Sequence, residues 1–130
     1  MKHILTNALC WLLALSATAS DTIEPGQFYT EPPTFHSLGF QWNMSGDENR
    51  DAQVAVAFRE EGASEWRHAL NLLRIKSEVV GSNVPEKQYT CGNLFAGSIL
   101  FLESGMGYEV SLSLSDPDKH RRNVRGVNQS

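Results

Sequence analysis

Residues 47–51 have the side chains of an incomplete calcium loop. In an EF-hand loop, oxygen ligands stand at positions 1, 3 and 5, a glycine makes the turn at position 6, and a bidentate glutamate closes the site at position 12. Counting from Asp47, the first three ligands are present, but position 6 is Ala52 and position 12 is Phe58. The sequence therefore predicts a solvated turn at residues 47–51 and no metal site.

No group of side chains has the spacing of a catalytic site. Metal and nucleophilic chemistry both need histidines or bases placed next to their partners. The histidines after residue 19 lie in unrelated segments, at His36, His68 and His120. Glu60 with Glu61, and Glu103 with Glu109, could imitate the two acids of a glycosidase, but a solvated face is the better explanation of these residues. We predict no catalytic residue, no cofactor and no metal, and we do not expect an enzyme.

Cys91 is the one cysteine outside the first 19 residues, where Cys10 lies. An odd cysteine in an exported chain can be a reactive thiol or an intermolecular link, but free cysteine is also among the residue types most often buried. Cys91 precedes the apolar Leu94 and Phe95. We expect a buried, slowly reacting thiol in a monomer, and not a thiol–imidazole pair with His68.

Residues 1–19 have the three-part layout of a secretory signal peptide. Lys2 is followed by an apolar run over residues 8–15, and Ala17 and Ala19 form an A-x-A cleavage pattern. The apolar run is too short for a bilayer, which takes about 20 residues. We therefore expect the mature chain to be secreted, periplasmic or at the cell surface, with no membrane insertion after cleavage.

Charge divides the remaining chain into an acidic body and a basic end. All 15 acidic residues lie in residues 20–118 with six basic residues, whereas residues 119–130 carry four basic residues and no acid. Phosphate binding requires clustered lysine and arginine side chains. The acidic body therefore argues against a nucleic-acid partner.

Short runs in which apolar and polar residues alternate predict half-buried β-strands. The runs occupy residues 37–44, 52–58, 66–70, 97–102 and 108–115. No run of twelve residues has a convincing helical period, so the sequence predicts an all-β antiparallel sandwich. The long connection over residues 71–93 is expected to be irregular, and either functional or mobile. The predicted core contains Leu38, Phe40, Trp42, Val54, Val56, Phe58, Tyr108, Val110 and Leu112.

The segment LESGMGYEV, residues 102–110, resembles the corner before the sixth strand of a fibronectin type III domain. In that family a leucine stands six residues before a tyrosine, as Leu102 stands before Tyr108. SLGFQW matches the segment of the core tryptophan, here Trp42, and VAFREEGASEW matches the third strand and the turn after it. The resemblance implies an immunoglobulin-like sandwich over residues 28–118 with Trp42, Leu102 and Tyr108 as structural residues, and with the tyrosine hydroxyl bonded to upstream backbone.

Three further segments resemble fibronectin type III-like domains of bacterial exported proteins that precede parallel β-helix domains of the pectate-lyase type. They are GDENRDAQVAVAFREEG, NLFAGSI and YEVSLSLSDPD. This resemblance implies a cell-surface or polysaccharide-related setting. It assigns no chemistry to the domain.

Residues 119–130 depart from the family pattern, because only Val124 and Val127 suit an alternating strand. The seventh strand is therefore expected to be degenerate or missing, leaving a basic C-terminal tail. Three explanations stay open: a truncated or frame-shifted end of a longer gene, a tail that contacts an anionic surface, and a poor but real strand. Without that strand, residues 108–115 would present an unpaired edge through which copies could associate.

Together these features predict an exported, non-catalytic β-sandwich module for binding, spacing, or protein or glycan interaction. The expected partners are a cell-surface protein or a polysaccharide, and a self-standing adhesion or carbohydrate-binding domain is one version of this function. The alternative is the truncated N-terminal domain of a polysaccharide-processing enzyme whose catalytic domain lies downstream.

Overall fold

The computed structural model describes the backbone of residues 20–129 and the side chains of residues 20–118. The predicted signal peptide, residues 1–19, lies outside the described residues. The strands are β1 (Glu24–Thr30), β2 (Ser37–Ser45), β3 (Gln53–Glu60), β4 (Arg67–His68), β5 (Leu73–Lys76), β6 (Val79–Gly81), β7 (Gln88–Thr90), β8 (Asn93–Leu100), β9 (Tyr108–Asp116) and β10 (Lys119–Gln129). A short 3-10 helix, Pro85–Lys87, lies between β6 and β7. Within residues 20–129, no helix is long and apolar enough to cross a bilayer.

Two four-stranded antiparallel sheets pack together, which confirms the predicted all-β sandwich. Their strand orders are β1-β2-β8-β5 and β10-β9-β3-β4, and β6 with β7 forms a separate two-stranded ribbon. We call this ribbon, residues 79–90, the arm. Burial alternates along β2, β3 and β9, where every second residue lies in the core. The alternation in the sequence predicted these strands because successive side chains of a strand point to opposite faces.

The core lies between the two sheets and contains all nine residues that the strand pattern predicted. Trp42 packs edge-on against Phe28, with ring centroids 6.0 Å apart, and its indole N–H donates to the carbonyl of Gly26 at 3.2 Å. Truncating such a core aromatic to alanine typically lowers the free energy of unfolding by about 3–5 kcal/mol. The buried apolar residues are Ile23, Leu38, Phe40, Trp42, Met44, Ala52, Val54, Val56, Phe58, Leu72, Phe95, Ile99, Leu102, Tyr108, Val110, Leu112 and Leu114.

The chain between β3 and β8 differs from the prediction. The run at residues 66–70 contributes only the two-residue β4, and Leu70 is exposed. The reason is that the chain crosses from one sheet to the other here: Ala69 N and Leu72 N still donate to β3, whereas β5 already pairs with β8. Residues 71–93 are therefore not irregular, because they contain β5 and the arm, and β8 begins at Asn93 instead of residue 97.

The last strand is present, so the expectation that it is missing is corrected. Lys119–Gln129 pairs with β9, with register shifts between Lys119 and Arg122 and between Arg125 and Val127. The prediction had also allowed for a degenerate strand, and the irregular pairing agrees with that possibility. Alternation of apolar residues did not predict this strand, because its pairing with β9 is formed by backbone hydrogen bonds. Edge strands also often carry charged residues, which discourage pairing with a further strand. Since β9 lies between β3 and β10, residues 108–115 are not a free edge, and the predicted self-association there loses its basis.

The sandwich extends beyond the predicted residues 28–118 at both ends. Ile23 is buried, and its backbone N–H donates to Asp116 Oδ2 at 2.7 Å. β1 was not predicted from the sequence because Pro25 and a register shift before Phe28 interrupt its pairing with β2. Proline is tolerated in such an edge strand, where one side of the backbone has no ladder partner.

Candidate functional site

The antiparallel strands place the connecting loops at two ends of the sandwich. Loops 31–36, 61–66 and 101–107 meet at one end, where they surround a cleft. Loops 46–52 and 117–118 meet at the other end, where their carboxylates gather. We call these the cleft end and the carboxylate end.

The cleft is open and has a volume of about 700 Å³. Buried core residues Leu38, Leu102 and Tyr108 line it, together with Phe35, which is 80% exposed, and Met106, which is 46% exposed. Ligand pockets commonly have volumes of about 300–1,000 Å³ and mainly apolar linings with a few polar groups. A recess lined by exposed apolar side chains is typical of a surface that binds a partner.

Hydrogen bonds fix the loop 101–107 that forms one wall of the cleft. Leu102 N donates to the carbonyl of His36 at 3.0 Å, and His36 Nδ1 lies 3.0 Å from the Leu102 carbonyl oxygen. Glu103 N donates to the hydroxyl of Tyr108 at 3.0 Å. The tyrosine hydroxyl thus bonds to upstream backbone, as the resemblance implied. A wall that is already ordered loses less entropy when a partner binds.

Phe101 begins the same loop and is 95% exposed. Its φ of 60° lies in the left-handed region, which bulky residues rarely adopt. The flanking residues explain this conformation, because Leu100 pairs with Ser37 and Leu102 bonds to His36. Strained conformations of this kind concentrate at binding and switch regions. The cleft end therefore exposes a third large apolar side chain.

Two carboxylates line the cleft without a basic partner among residues 20–118. Glu61 Oε2 would lie 2.6 Å from a Cβ at Gly107, so the glycine allows this carboxylate to lie against the loop 101–107. Neither Glu61 nor Glu103 belongs to the five ion pairs of residues 20–118. Those pairs join Arg50 with Glu78, Arg59 with Glu109, Arg67 with Glu60, Arg74 with Asp47 and Lys76 with Glu48. The cleft therefore combines apolar walls with negative charge.

At the carboxylate end, Asp47 is completely buried, which corrects the prediction of a solvated side chain there. Asp47 Oδ1 accepts a hydrogen bond from Ala52 N at 3.1 Å, and Oδ2 accepts one from Arg74 Nε at 2.5 Å. Lys76 Nζ donates to the Asp47 carbonyl at 3.0 Å. A buried charge persists only when it is paired and hydrogen-bonded. Asp47 is therefore a structural anchor for the loop 46–52.

Asp51, Asp116 and Asp118 each place a carboxylate oxygen within 4.8 Å of the others, an arrangement that could hold a hard cation such as Ca²⁺. Asp116 is already engaged, since its oxygens accept hydrogen bonds from Ile23 N at 2.7 Å and Asp118 N at 2.8 Å. Burial, followed by the charges of Asp118, Asp116 and Asp47, raises the pKa of Asp51 above its ordinary value. The neighbouring carboxylates thus disfavour the ionised form of Asp51.

The arm begins next to the carboxylate end. Cys91 N donates to the carbonyl of Glu78 at 2.8 Å, and Arg50 Nη1 lies 2.8 Å from Glu78 Oε1. Burial acts to raise the pKa of Glu78, but hydrogen bonds from its own backbone, from Lys76 and from Arg50 hold it below the ordinary value. All residues of β6 and β7 are exposed, including Tyr89. Cys91 is half-buried, so the prediction of a fully buried thiol is corrected.

Of the acids considered as catalytic pairs in the sequence, Glu61 and Glu103 both line the cleft. His36 bonds to the loop 101–107, His68 is exposed on β4, and the side chain of His120 lies outside the described residues. Glu109 pairs with Arg59 on the neighbouring strand.

The sequence did not single out the residues that distinguish the cleft end. Phe35 and Met106 lie in loops outside every predicted strand, and Phe101 was included in the predicted strand 97–102 although the strand ends at Leu100. The available signal was a large apolar residue among turn-forming neighbours, as in EPPTFHS and ESGMG. Such residues are informative because they cannot be assigned to a core face.

The fold and the cleft define an all-β, two-sheet sandwich with an apolar, negatively charged recess at one end. No protein-family model matches the chain, and no curated protein matches it. The resemblance to fibronectin type III domains therefore stays a prediction from the sequence.

Proposed function

We propose that the chain is an exported, non-catalytic immunoglobulin-like module of the fibronectin type III kind that binds a protein partner through the cleft. Strand order supports the fold assignment. In constant-type immunoglobulin domains, strands A, B, E and D form one sheet and C, F and G the other. The order β1-β2-β8-β5 corresponds to the first sheet, and β10-β9-β3-β4 corresponds to the second with one additional strand, β4.

The cleft and its exposed apolar residues are the observation that supports binding. Phe35, Phe101 and Met106 are exposed around or next to a recess whose wall is fixed by hydrogen bonds. A few buried apolar or aromatic anchors usually carry most of the energy of a protein interface. A protein partner supplies apolar side chains for such a recess, so the observations favour a protein over a polysaccharide.

The alternative is a truncated N-terminal domain of a polysaccharide-processing enzyme, and one of its two arguments is weakened. The pairing of Lys119–Gln129 along β9 removes the missing strand as an argument for it. The resemblance to domains that precede parallel β-helix domains remains as its other basis. A module that lies next to a catalytic domain could still use the same cleft. The binding proposal therefore does not depend on what the module is attached to.

Selection from a random peptide library tests the proposal. The immobilised chain should enrich peptides whose affinity falls at least fivefold in Phe35→Ala or Met106→Ala, since truncating an interface anchor commonly costs more than 1 kcal/mol. Tyr89→Ala is the matched control, because Tyr89 is 65% exposed on the arm. Peptides that bind all four proteins equally would contradict the proposal.

A further inference from the structure

We infer that the cleft recognises a basic segment of a protein partner, in which an apolar side chain enters the cleft and lysine or arginine residues flank it. This inference rests on the proposed function and names the chemistry of the partner. It uses two features together, the apolar lining and the carboxylates beside it.

The apolar feature requires a side chain that can reach the core surface. Leu38, Leu102 and Tyr108 belong to the buried core and also line the cleft, so an entering group contacts the core directly. Phe35 and Met106 then lie alongside it. An apolar anchor of the partner would exclude water from these side chains, and the removal of apolar surface from water favours association.

The electrostatic feature requires cations next to that anchor. Glu61 and Glu103 line the cleft and have no basic partner among residues 20–118, and Glu31 and Glu65 lie in adjoining loops of the same end. Five of the six basic residues in that range are already paired with other carboxylates. Carboxylates that cluster without cations create a negative potential, which attracts cationic partners and repels anionic ones.

The same charges argue against an anionic polysaccharide as the occupant. Each of its carboxylate or sulfate groups would approach Glu61 and Glu103 with like charge. Like charges brought together at an interface act against binding. We therefore do not infer a polyanionic partner, and the experiment below includes a test for binding of a polyanion.

The experiment begins with the composition of the peptides from the library selection. Among peptides that lose affinity in Phe35→Ala, lysine and arginine should be enriched at the positions flanking a large apolar residue, and aspartate and glutamate should be depleted. If no selected peptide depends on Phe35, the proposed function fails. If Phe35-dependent peptides show no basic enrichment, the function stands and this inference is overturned.

A selected peptide and its lysine-to-serine version then give affinities by fluorescence anisotropy. Glu61→Gln and Glu103→Gln should each weaken the basic peptide by about two- to fivefold, as expected for exposed ion pairs, and leave the serine peptide unchanged. The effect should shrink in 0.5 M NaCl because salt screens exposed charges. Glu86→Gln is the matched control, since Glu86 is an exposed glutamate of the arm.

If Glu61→Gln and Glu103→Gln reduce the affinities for the basic and serine peptides equally, the inference is overturned. The charge of the carboxylates would then make no contribution to recognition of the basic residues. Dextran sulfate serves as the polyanionic probe. Any binding through the basic residues 119–130 should be the same in the unmodified chain, in Phe35→Ala and in Glu61→Gln. Binding that weakens in Phe35→Ala and strengthens in Glu61→Gln would assign the cleft to polyanions instead.

Discussion

Tyr108 joins the core to the cleft, and its two contributions can be separated by substitution. Its ring packs against Phe58, with centroids 6.2 Å apart, and its hydroxyl accepts the hydrogen bond from Glu103 N. Tyr108→Phe keeps the ring and removes the acceptor, so we expect a loss of about 0.5–1.5 kcal/mol in the free energy of unfolding. Urea denaturation measures this loss. Tyr29→Phe is the control, because Tyr29 is 42% exposed on β1, and equal losses in the two variants would contradict a structural role for the hydroxyl.

Asp51 provides a second prediction for a single residue. Because the folded state raises the pKa of Asp51, the folded chain binds more protons than the unfolded chain between the ordinary and the raised value. Stability therefore falls as the pH rises through that window. Asp51→Asn removes the charge, so its melting temperature should exceed that of the unmodified chain at neutral pH.

The advantage of Asp51→Asn should disappear below the ordinary pKa of aspartate, about 3.9, where the carboxyl is protonated in both states. Thermal melts from pH 3 to 8 in the presence of EDTA give the comparison without divalent cations. A difference that does not vary with pH, or a destabilised variant at neutral pH, would show that burial and the neighbouring carboxylates do not make the ionised form of Asp51 unfavourable.

At the scale of elements, β10 has the clearest energetic role. Removing residues 119–130 would leave the ladder groups of β9 unpaired along a long, alternating edge. We expect the shortened chain to unfold at a lower denaturant concentration than the full chain and to associate more strongly. Equilibrium denaturation and light scattering measure the two effects. Identical stability and identical mass for both chains would mean that the β9–β10 ladder contributes little.

The elements also show how far the sequence could predict the fold. β2, β3 and β9 could be predicted because each buries one face, so burial is recorded in the alternation of Leu38, Val54 and Leu112 with polar neighbours. β10 could not, because its position depends on backbone pairing with β9, which leaves no apolar period. The arm could not be predicted either, because its residues are exposed on both faces and exposed strands need no alternation of apolar and polar residues.

The candidate site was less predictable than the fold, for a related reason. The structural roles of Leu102 and Tyr108 follow from a local corner motif, and both residues line the cleft. Phe35 and Glu61 reach the cleft from loops far away in sequence, so only the packing of the two sheets brings them together. The same holds for Asp51 with Asp116 and Asp118, which the local calcium-loop pattern at residues 47–51 did not include.

For the whole molecule, the central claim is that one end of the sandwich binds and the remainder supports it. The formal net charge is −4 at pH 7. Among residues 20–118, carboxylates without an ion-pair partner occur at both ends, at Glu61 and Glu103 and again at Asp51. Charge alone therefore cannot choose between the ends. Phe35 and Met106 distinguish the cleft end, because they line the same recess as Glu61 and Glu103.

The most direct test is a two-dimensional ¹H–¹⁵N NMR titration of the chain beginning at residue 20 with the tightest basic peptide from the library selection. Amide shifts should change in loops 31–36, 61–66 and 101–107, whose residues form the cleft end. Amides of the arm and of residues 46–52 should stay in place. Shift changes confined to the arm or to the carboxylate end would contradict the central claim, because the peptide would then bind outside the cleft.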